Sequence, residues 1–480
     1  MHPPAILWLR QDLRLADHPA LAAAIAHGGP VMPVFIWSPE EEGAWPPGAA
    51  SRWWLQHSLA SLAASLEKRG SRLIVCRGPS ERTILELVKQ TKADAVFWSR
   101  RYELTAIERD TRIKRTLQDA GLIAESFNSA LLHEPWNVLT QQRQPYQVFT
   151  PFWKTCLARE TPAEPLPTPR KLVAPDKWPH SLALDELELL PSISWDSGMR
   201  EAWTPGEAGA AANLKRFLAA GLADYDEGRD RPAMAAVSQL SPYLHFGELS
   251  PRQVWHAVAA RAAEQQGRIA KPAETYLKEL GWREFAYHLL FHFPRTTDAP
   301  LREKFARFPW RHDAKVLRAW QRGRTGYPLV DAGMRQLWTT GWMHNRVRMI
   351  VASFLVKHLL IPWQSGAKWF WDTLVDADLA SNTLGWQWTA GCGADAAPYF
   401  RIFNPVSQGE KFDAAGGYIR RWVPELAKLD EKWIHRPWDA PADVLQTAGV
   451  QLGKTYPKRI VDHDEARRRA LAALETTSEK

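Results

Sequence analysis

The sequence predicts an α/β plus all-α protein, with an N-terminal doubly wound parallel sheet, a long connector and a C-terminal helical domain. Two observations predict this order. Over residues 1–131, short apolar runs alternate with amphipathic helical stretches, which is typical of a parallel sheet. From residue 206 to 480, apolar residues repeat with a helical period and strand-like runs are scarce. A chain of 480 residues is long enough for two or three domains.

Four apolar runs in the first domain are candidate strands: AILWL, VMPVFIW, RLIVC and AVFWS, at 5–9, 31–37, 72–76 and 95–99. The stretches between them have helical spacing, with Gly or Ala at their ends. No GxGxxG follows the first strand, so the usual dinucleotide fingerprint is absent. Arg10 and Arg14 follow this strand, at the carboxyl edge where such sheets bind ligands.

Residues 132–205 form the predicted connector, and its later part is rich in proline and acids. The net charge of +8 and the pI of about 9.3 favour a polyanionic partner, nucleic acid before an acidic membrane surface. A basic protein without such a partner would have the same charge. Three cysteines without a CxxC motif exclude a disulfide scaffold and a four-cysteine iron–sulfur site.

The chain begins with a predicted strand and not with a signal peptide. No apolar stretch approaches the roughly 20 residues of a membrane span. We therefore expect a cytoplasmic protein with no membrane partner. His288 and His292 have the spacing of a metal pair, but no Glu lies between them and no third ligand is apparent, so we interpret them as packing residues and expect no metal site.

The segment from Trp363 to Asp413 is the most unusual part of a chain with 25 tryptophans. Indole side chains rarely take part in acid–base catalysis, whereas they do transfer electrons and stack on flat ligands. Core filling explains most of the 25. Asp376 and Asp378 are two residues apart and cannot face the same way on one helix, so we expect at least one to lie beyond a helix end, free to contact a ligand.

The segment VSQLSPYLHFGELSPRQ suggests an anion site. Ser238, Ser241 and Ser250 are spaced as capping residues before helices, and Pro follows the last two. Free N–H groups at a helix start, together with a hydroxyl, would cradle a pyrophosphate. Two plain capped helices would give the same pattern.

The segment TYLKELGWREF places Tyr276, Glu279, Trp282 and Arg283 on one face of a helix. A carboxylate beside an indole can accept hydrogen bonds from a base edge while the ring stacks on its face. A half-buried amphipathic helix with an ion pair is the alternative.

In GWMHNRVRM, Asn345, Arg348 and Met349 share one helix face and Arg346 is predicted to turn away. Arg348 needs an acidic partner, because an isolated buried guanidinium is costly. Asp376 or Asp378 would supply it, either at a ligand site or as a structural salt bridge.

Together these motifs resemble the photolyase/cryptochrome family. The likeness runs from LWLRQDLRLADHPAL through TPFWK to TYPKRIVDH, and its most specific parts are residues 341–350 and 376–412. The details are most similar to a bacterial class III DNA photolyase for cyclobutane pyrimidine dimers. The resemblance implies a deoxyribodipyrimidine photo-lyase, a carbon–carbon lyase in which photoexcited reduced FAD, bent within the helical domain, passes an electron to a flipped-out dimer.

The resemblance also implies site residues. The FAD contacts would be Tyr225, Ser238, Gln239, Leu240, Ser241, Tyr276, Arg348, Asp376, Asp378 and Asn382. The contacts to DNA and the dimer would be Glu279, Trp282, Arg283, Asn345, Met349, Trp388, Arg401, Gln408 and Lys411. Trp386, Trp363 and Trp310 would transfer electrons, and Glu279 and Asn382 would act in catalysis. Val237 stands where the family usually has Thr, which removes one hydroxyl.

Two other functions found within the family are the alternative interpretations of this sequence. Asn382 would face flavin N5, where plant photoreceptors typically have an acid, and a neutral amide would help to keep the reduced anion. This residue and the absence of a C-terminal extension favour repair over a cryptochrome-type blue-light photoreceptor. A (6-4) photolyase uses a paired-histidine pocket, whereas His344, Asn345 and Met349 suit a cyclobutane dimer better.

The N-terminal part of the sequence differs from the family pattern. LRQDLRLADH has Leu9 for Phe and His18 for Asn, and ELTAIERD lacks the Asn-Glu pair with which some relatives bind folate. The class III likeness implies 5,10-methenyltetrahydrofolate as the antenna, with a deazaflavin or FMN as alternatives. We expect a monomer that acts on damaged DNA.

Overall fold

The computed structural model describes residues 2–396 and 400–477. Its sheet has five parallel strands in the order β3-β2-β1-β4-β5. They are β1 (Ala5–Leu9), β2 (Val31–Trp37), β3 (Ile74–Arg77), β4 (Ala95–Ser99) and β5 (Ile123–Phe127). Three strands match the predicted bounds, and the third begins two residues later than predicted. The sequence prediction missed β5 because this edge strand is only partly buried and has no continuous apolar run.

Helices cover both faces of the sheet. They are α1 (Pro19–Ala26), α2 (Ala49–Glu67), α3 (Ser80–Thr91) and α4 (Leu104–Asp119). Alternate residues of a strand face opposite sides. Accordingly, Leu7 packs with Trp53 of α2 in one core cluster, and Trp8 packs with Ile84 and Ile113 in another. The doubly wound sheet predicted for this part of the chain is confirmed.

In the rest of the described chain the regular elements are helices, apart from one isolated β-bridge. Its α-helices are α5 (Phe149–Leu157), α6 (Ser197–Ala202), α7 (Glu207–Arg216), α8 (Tyr225–Gly228), α9 (Ser241–His245), α10 (Pro251–Glu264), α11 (Ala270–His292), α12 (Ala314–Gln321), α13 (Pro328–Thr340), α14 (Asn345–Ser353), α15 (Trp363–Thr373), α16 (Leu379–Ala390), α17 (Pro405–Phe412), α18 (Gly417–Trp422), α19 (Glu431–Ile434), α20 (Ala442–Ala448) and α21 (His463–Glu475). No helix of residues 2–396 and 400–477 is long and apolar enough to cross a membrane.

Arg10 and Arg14 follow β1 at the carboxyl edge of the sheet, and both contact groups of the protein itself. Arg14 is buried, and its guanidinium donates to the carbonyls of Ser129 and Gly247, both at 2.9 Å. Arg10 pairs with Asp110 at 2.6 Å. Arg14 therefore links the sheet to the helical region, whereas Arg10 connects β1 to α4 within the sheet domain.

Candidate functional site

A cavity of about 620 Å³ lies among α8, α9, α11, α14 and α16. This volume is within the range of about 300–1,000 Å³ that is usual for ligand sites. All ten residues predicted to bind FAD line it, as do Trp386 and six of the residues predicted to contact DNA: Glu279, Trp282, Arg283, Asn345, Met349 and Trp388. Motifs that are far apart in the sequence thus meet at one cavity.

One wall of the cavity is an ion pair between Arg348 and Asp376. The guanidinium donates to Asp376 Oδ2 at 2.8 Å, and the Ser241 hydroxyl donates to the same oxygen at 2.6 Å. Asp376 lies between α15 and α16, past the helix end as predicted. Ser241 is not the predicted cap, because it is the first residue of α9 and follows Leu240. The predicted capping role is correct for Ser250, whose side chain accepts from Gln253 N–H.

Asp378 begins α16 and receives several hydrogen bonds. Its side chain accepts from Ser381 N–H at 2.7 Å and from the Tyr287 hydroxyl. Burial alone would raise the pKa of Asp378, but His245, Arg283 and Tyr287 hold this pKa below its ordinary value. The cavity therefore presents a fixed negative charge at this point.

The predicted face of α11 lines the cavity, with Glu279 and Trp282 side by side on it. Glu279 Oε1 pairs with Arg229 at 2.7 Å. Burial raises the pKa of Glu279 although Arg229 opposes the rise. Phe149 stacks on Trp282, with ring centroids 3.7 Å apart and planes within 8°. One face of this indole is thus covered by the protein.

Arginines that the sequence prediction missed also line the cavity. Arg346 does not turn away as predicted, because it contributes to the wall and pairs with Asp230 at 2.6 Å. Arg229 was not singled out at all, although it pairs with Glu279. Arg229 lies in DEGRDRP, a segment rich in charges, where only tertiary contacts distinguish it from a solvated cation. The cavity wall therefore contains two ion pairs that the sequence did not predict.

Trp386 is a buried ring on the cavity wall, 2% exposed. Its ring neighbours are Phe370, at 5.0 Å between centroids, and Trp320, at 6.3 Å. Gly366 packs directly against it, and a Cβ at this position would collide with the indole. Trp363, the second predicted tryptophan, is the first residue of the same helix as Gly366 and belongs to the same buried cluster as Trp386. Trp310, the third, contacts Phe308 at 4.4 Å and is only partly buried.

Three residues predicted at the DNA rim lie outside the cavity lining. Arg401 precedes α17, and Gln408 and Lys411 are within it. Arg346 connects the two regions, since its guanidinium lies 4.6 Å from the ring of Phe412, also in α17. The rim assignment of the three residues stays a prediction.

Lys357 is a buried lysine behind this rim, 3% exposed. Its ammonium donates to the Arg401 carbonyl at 2.6 Å and lies 4.2 Å from the ring of Phe400. Burial lowers the pKa of Lys357 from 10.5 to about 7. Above pH 7 the folded state therefore releases a proton that the unfolded state keeps, so this residue makes the protein more stable as pH rises.

We expect Lys357→Met to remove this pH dependence. Between pH 7 and pH 9, the free energy of unfolding of the wild type should rise relative to the variant by roughly 2 kcal/mol. Urea denaturation at several pH values measures the difference. Lys368→Met, at an exposed lysine of α15, is the control and should keep the wild-type slope. Parallel curves for the wild type and Lys357→Met would contradict the prediction.

The cavity residues fit a flavin dinucleotide. Two buried polar atoms on its wall, Asp376 Oδ1 and Trp386 Nε1, have no hydrogen-bond partner in the protein. Such atoms are costly unless a ligand or water satisfies them. Gln239 adopts a left-handed backbone conformation with φ of 55°, beside the predicted phosphate contacts Ser238 and Leu240. Within residues 2–396 and 400–477 there is no cluster of three or more side chains suited to a metal ion.

Comparisons with known proteins agree with this geometry. A model of the FAD-binding domain of DNA photolyase matches residues 276–476, and a DNA photolyase model matches residues 5–170. The deoxyribodipyrimidine photo-lyase of Agrobacterium fabrum is 53% identical over 98% of this chain and 97% of its own length. Cryptochrome-1 of Arabidopsis thaliana is 44% identical over 98% of this chain and 70% of its own length. The crystal structure of a bacterial class III photolyase from Agrobacterium tumefaciens superposes with a TM-score of 0.96 at 52% identity, covering 100% of this chain and 98% of that one.

Proposed function

This chain belongs to the photolyase/cryptochrome family, and we propose that it is a light-driven lyase that splits cyclobutane pyrimidine dimers in DNA. The observation that carries the proposal is the shared cavity, in which the residues that would bind FAD face those that would receive the dimer. FAD, when bound and reduced, supplies the light absorption and the transferred electron. In this proposal, residues 1–131 bind the antenna chromophore and residues 206–480 bind FAD and DNA. Residues 132–205 connect these two domains.

The side chains of the cavity would receive an extruded dimer. A damaged pair is poorly stacked and costs less to flip out than normal bases. Trp388 and the edge of Trp282 would contact its rings, with Met349 beneath. Glu279 and Asn345 would bind the base edges by hydrogen bonds. The charge of Glu279 is partly compensated by Arg229, at 2.7 Å, which keeps a carboxylate in a half-buried place.

Damaged DNA is the proposed partner, and the protein would bind it as a monomer in the cytoplasm. Arg401, Gln408 and Lys411 would contact phosphates at the rim. An affinity that depends on such contacts falls steeply with salt. The net charge of +8 supports this mode of binding.

We propose 5,10-methenyltetrahydrofolate as the antenna, with a deazaflavin or FMN as alternatives. The carboxyl edge of the sheet is largely occupied by ion pairs, since Arg10 contacts Asp110 at 2.6 Å and Arg101 contacts Glu42 at 2.7 Å. A second chromophore would have to displace these pairs or bind elsewhere. Absorption spectra of the purified protein before and after denaturation would identify both chromophores.

The test of the function is repair under blue light. One oligonucleotide would contain a cyclobutane dimer and a matched one a (6-4) photoproduct, and both would be incubated with reduced protein in light and in darkness. We expect restoration of the cyclobutane substrate only, and only in light. Restoration of the oligonucleotide with the (6-4) photoproduct would indicate a (6-4) photolyase instead. No restoration of either, with FAD bound, would favour the photoreceptor function of the cryptochrome relatives.

The variant Asn382→Asp tests the residue proposed to face flavin N5. Asn382 Nδ2 donates to the Ala367 carbonyl at 3.1 Å, which leaves its second N–H available to the cavity. A carboxylate would lose both donors and add a negative charge where the reduced anion carries one. We expect reoxidation of reduced FAD in air to be faster by roughly tenfold. Asn137→Asp, at an exposed position, should leave this rate unchanged, and an unchanged rate in Asn382→Asp would remove the assigned role.

A further inference from the structure

A row of aromatic side chains leads from the cavity wall to the protein surface through α11 and the sheet domain. The rings of Tyr287 and Tyr102 make an edge contact, with centroids 5.9 Å apart, and Tyr102 lies 6.3 Å from Trp136. Tyr287 and Tyr102 are buried, whereas Trp136 is 40% exposed. At the inner end, the Tyr287 hydroxyl donates to Asp378, whose side chain lines the cavity. The row therefore runs from a tyrosine one hydrogen bond behind the cavity lining to an indole at the surface.

Each tyrosine of this row has a carboxylate at its phenol oxygen. Tyr287 donates to Asp378, and Tyr102 donates to Glu134 Oε2 at 2.9 Å. Burial and the adjacent carboxylates raise the pKa of both phenols well above the ordinary value, so both are protonated at neutral pH. A neutral phenol that loses an electron becomes a strong acid. A hydrogen-bonded carboxylate can accept its proton without any rearrangement of the chain.

Arg100 fixes the outer end of the row. It pairs with Glu134 Oε1 at 2.5 Å, and its guanidinium lies 5.9 Å from the Trp136 ring. The ion pair holds the Glu134 side chain in place, with its other oxygen at the Tyr102 hydroxyl. The side chain of Glu134 is 12% exposed, so the acceptor is largely shielded from water.

We propose that Tyr287, Tyr102 and Trp136 form a second electron path between the cavity and solvent, separate from that of Trp386, Trp363 and Trp310. The proposal rests on the proposed function, since the electron acceptor in the cavity is photoexcited oxidised FAD. Centroid separations near 6 Å bring the ring edges almost into contact, which suits stepwise transfer. The path would reduce the flavin when the tryptophan path is interrupted.

The electrons and protons of this path balance when a thiol in solution is the external reductant. Tyr287 gives one electron to the flavin and its phenolic proton to Asp378. Tyr102 then gives an electron to Tyr287, which recovers its proton from Asp378, while the proton of Tyr102 moves to Glu134. Trp136 gives an electron to Tyr102, which recovers its proton in turn. A thiolate in solution reduces the exposed indole and becomes a thiyl radical, so one electron crosses and the path keeps its protons.

The test begins with the holoprotein carrying oxidised FAD in a Trp386→Phe background, with a thiol present. Illumination and freezing should trap a tyrosyl radical that electron paramagnetic resonance detects. We expect Tyr287→Phe and Tyr102→Phe each to lower this signal at least fivefold. Tyr456→Phe is the matched control, because Tyr456 is also a buried phenol that donates to a carboxylate, Asp331, at 2.7 Å. The control should keep the signal.

A second arm uses the protein without FAD. A ruthenium photo-oxidant and an electron acceptor in solution would oxidise exposed indoles, and transfer from Tyr102 to Trp136 should give the tyrosyl signal. Tyr102→Phe and Trp136→Phe should lower it, and Tyr456→Phe should not. The proposed path would be overturned by the following pair of results. In the first arm, Tyr287→Phe and Tyr102→Phe leave the tyrosyl signal unchanged, and in the second arm, Tyr102→Phe and Trp136→Phe also leave it unchanged. A protein that does not bind FAD but passes the second arm would refute the proposed function and leave the path supported.

Discussion

A Trp386→Phe variant is expected to photoreduce oxidised FAD roughly tenfold more slowly than the wild type, yet to repair dimers normally once the flavin is reduced chemically. Trp386 lines the cavity, whereas Trp363 and Trp310 do not. Phenylalanine fills similar space but is far harder to oxidise than an indole. The residual rate would be the contribution of the tyrosine path.

Transient absorption after a blue flash measures the photoreduction, and a repair assay with dithionite-reduced protein measures the second part. Trp98→Phe is the control, because Trp98 is equally buried but belongs to the sheet, where it packs on Trp8. It should change neither rate. Lost repair in Trp386→Phe with fully reduced flavin would contradict the assignment, since it would mean that the indole positions the substrate or the cofactor.

The proposed electron carriers beyond Trp386 illustrate the limit of sequence reasoning. The prediction of Trp363 and Trp310 came from family resemblance, and the chain itself has 25 tryptophans with no local signal to rank them. In the fold, Trp320 has a ring contact with Trp386 at 6.3 Å. A ring contact depends on how α12 packs on α16, which is a tertiary fact. Comparing Trp363→Phe with Trp320→Phe in the flash experiment would identify the carrier that follows Trp386.

Local rules predicted much of the site. Helical periodicity was enough to put Glu279 and Trp282 on one face, because α11 runs without interruption over 23 residues. Charge compensation was enough to pair Arg348 with one of two nearby acids. By contrast, Arg229 and Arg346 face the cavity only because each is paired with an acid from a distant segment. No spacing rule within their own helices predicts such partners.

We expect Glu279→Gln to lower the repair yield per absorbed photon by roughly two- to tenfold, the range of one hydrogen bond to a developing charge. Burial raises the pKa of Glu279, which makes its carboxyl a better match for exchanging a proton with the dimer radical anion than an exposed glutamate would be. Glutamine can donate a hydrogen bond but not transfer a proton. We therefore expect the contribution of Glu279 to the pH dependence of the repair yield to be absent in the variant.

The same substitution on the outside of the helix isolates this effect. Glu274→Gln changes an exposed residue of α11 and should preserve both the yield and its pH profile. Because Arg229 loses its partner in Glu279→Gln, the affinity for dimer-containing DNA should be measured in parallel and the yield taken at saturation. A yield that equals the wild type at saturation, at every pH, would show that Glu279 contributes to binding alone. In that case the Glu279–Arg229 pair would be an element of the DNA-binding surface and not of the chemistry.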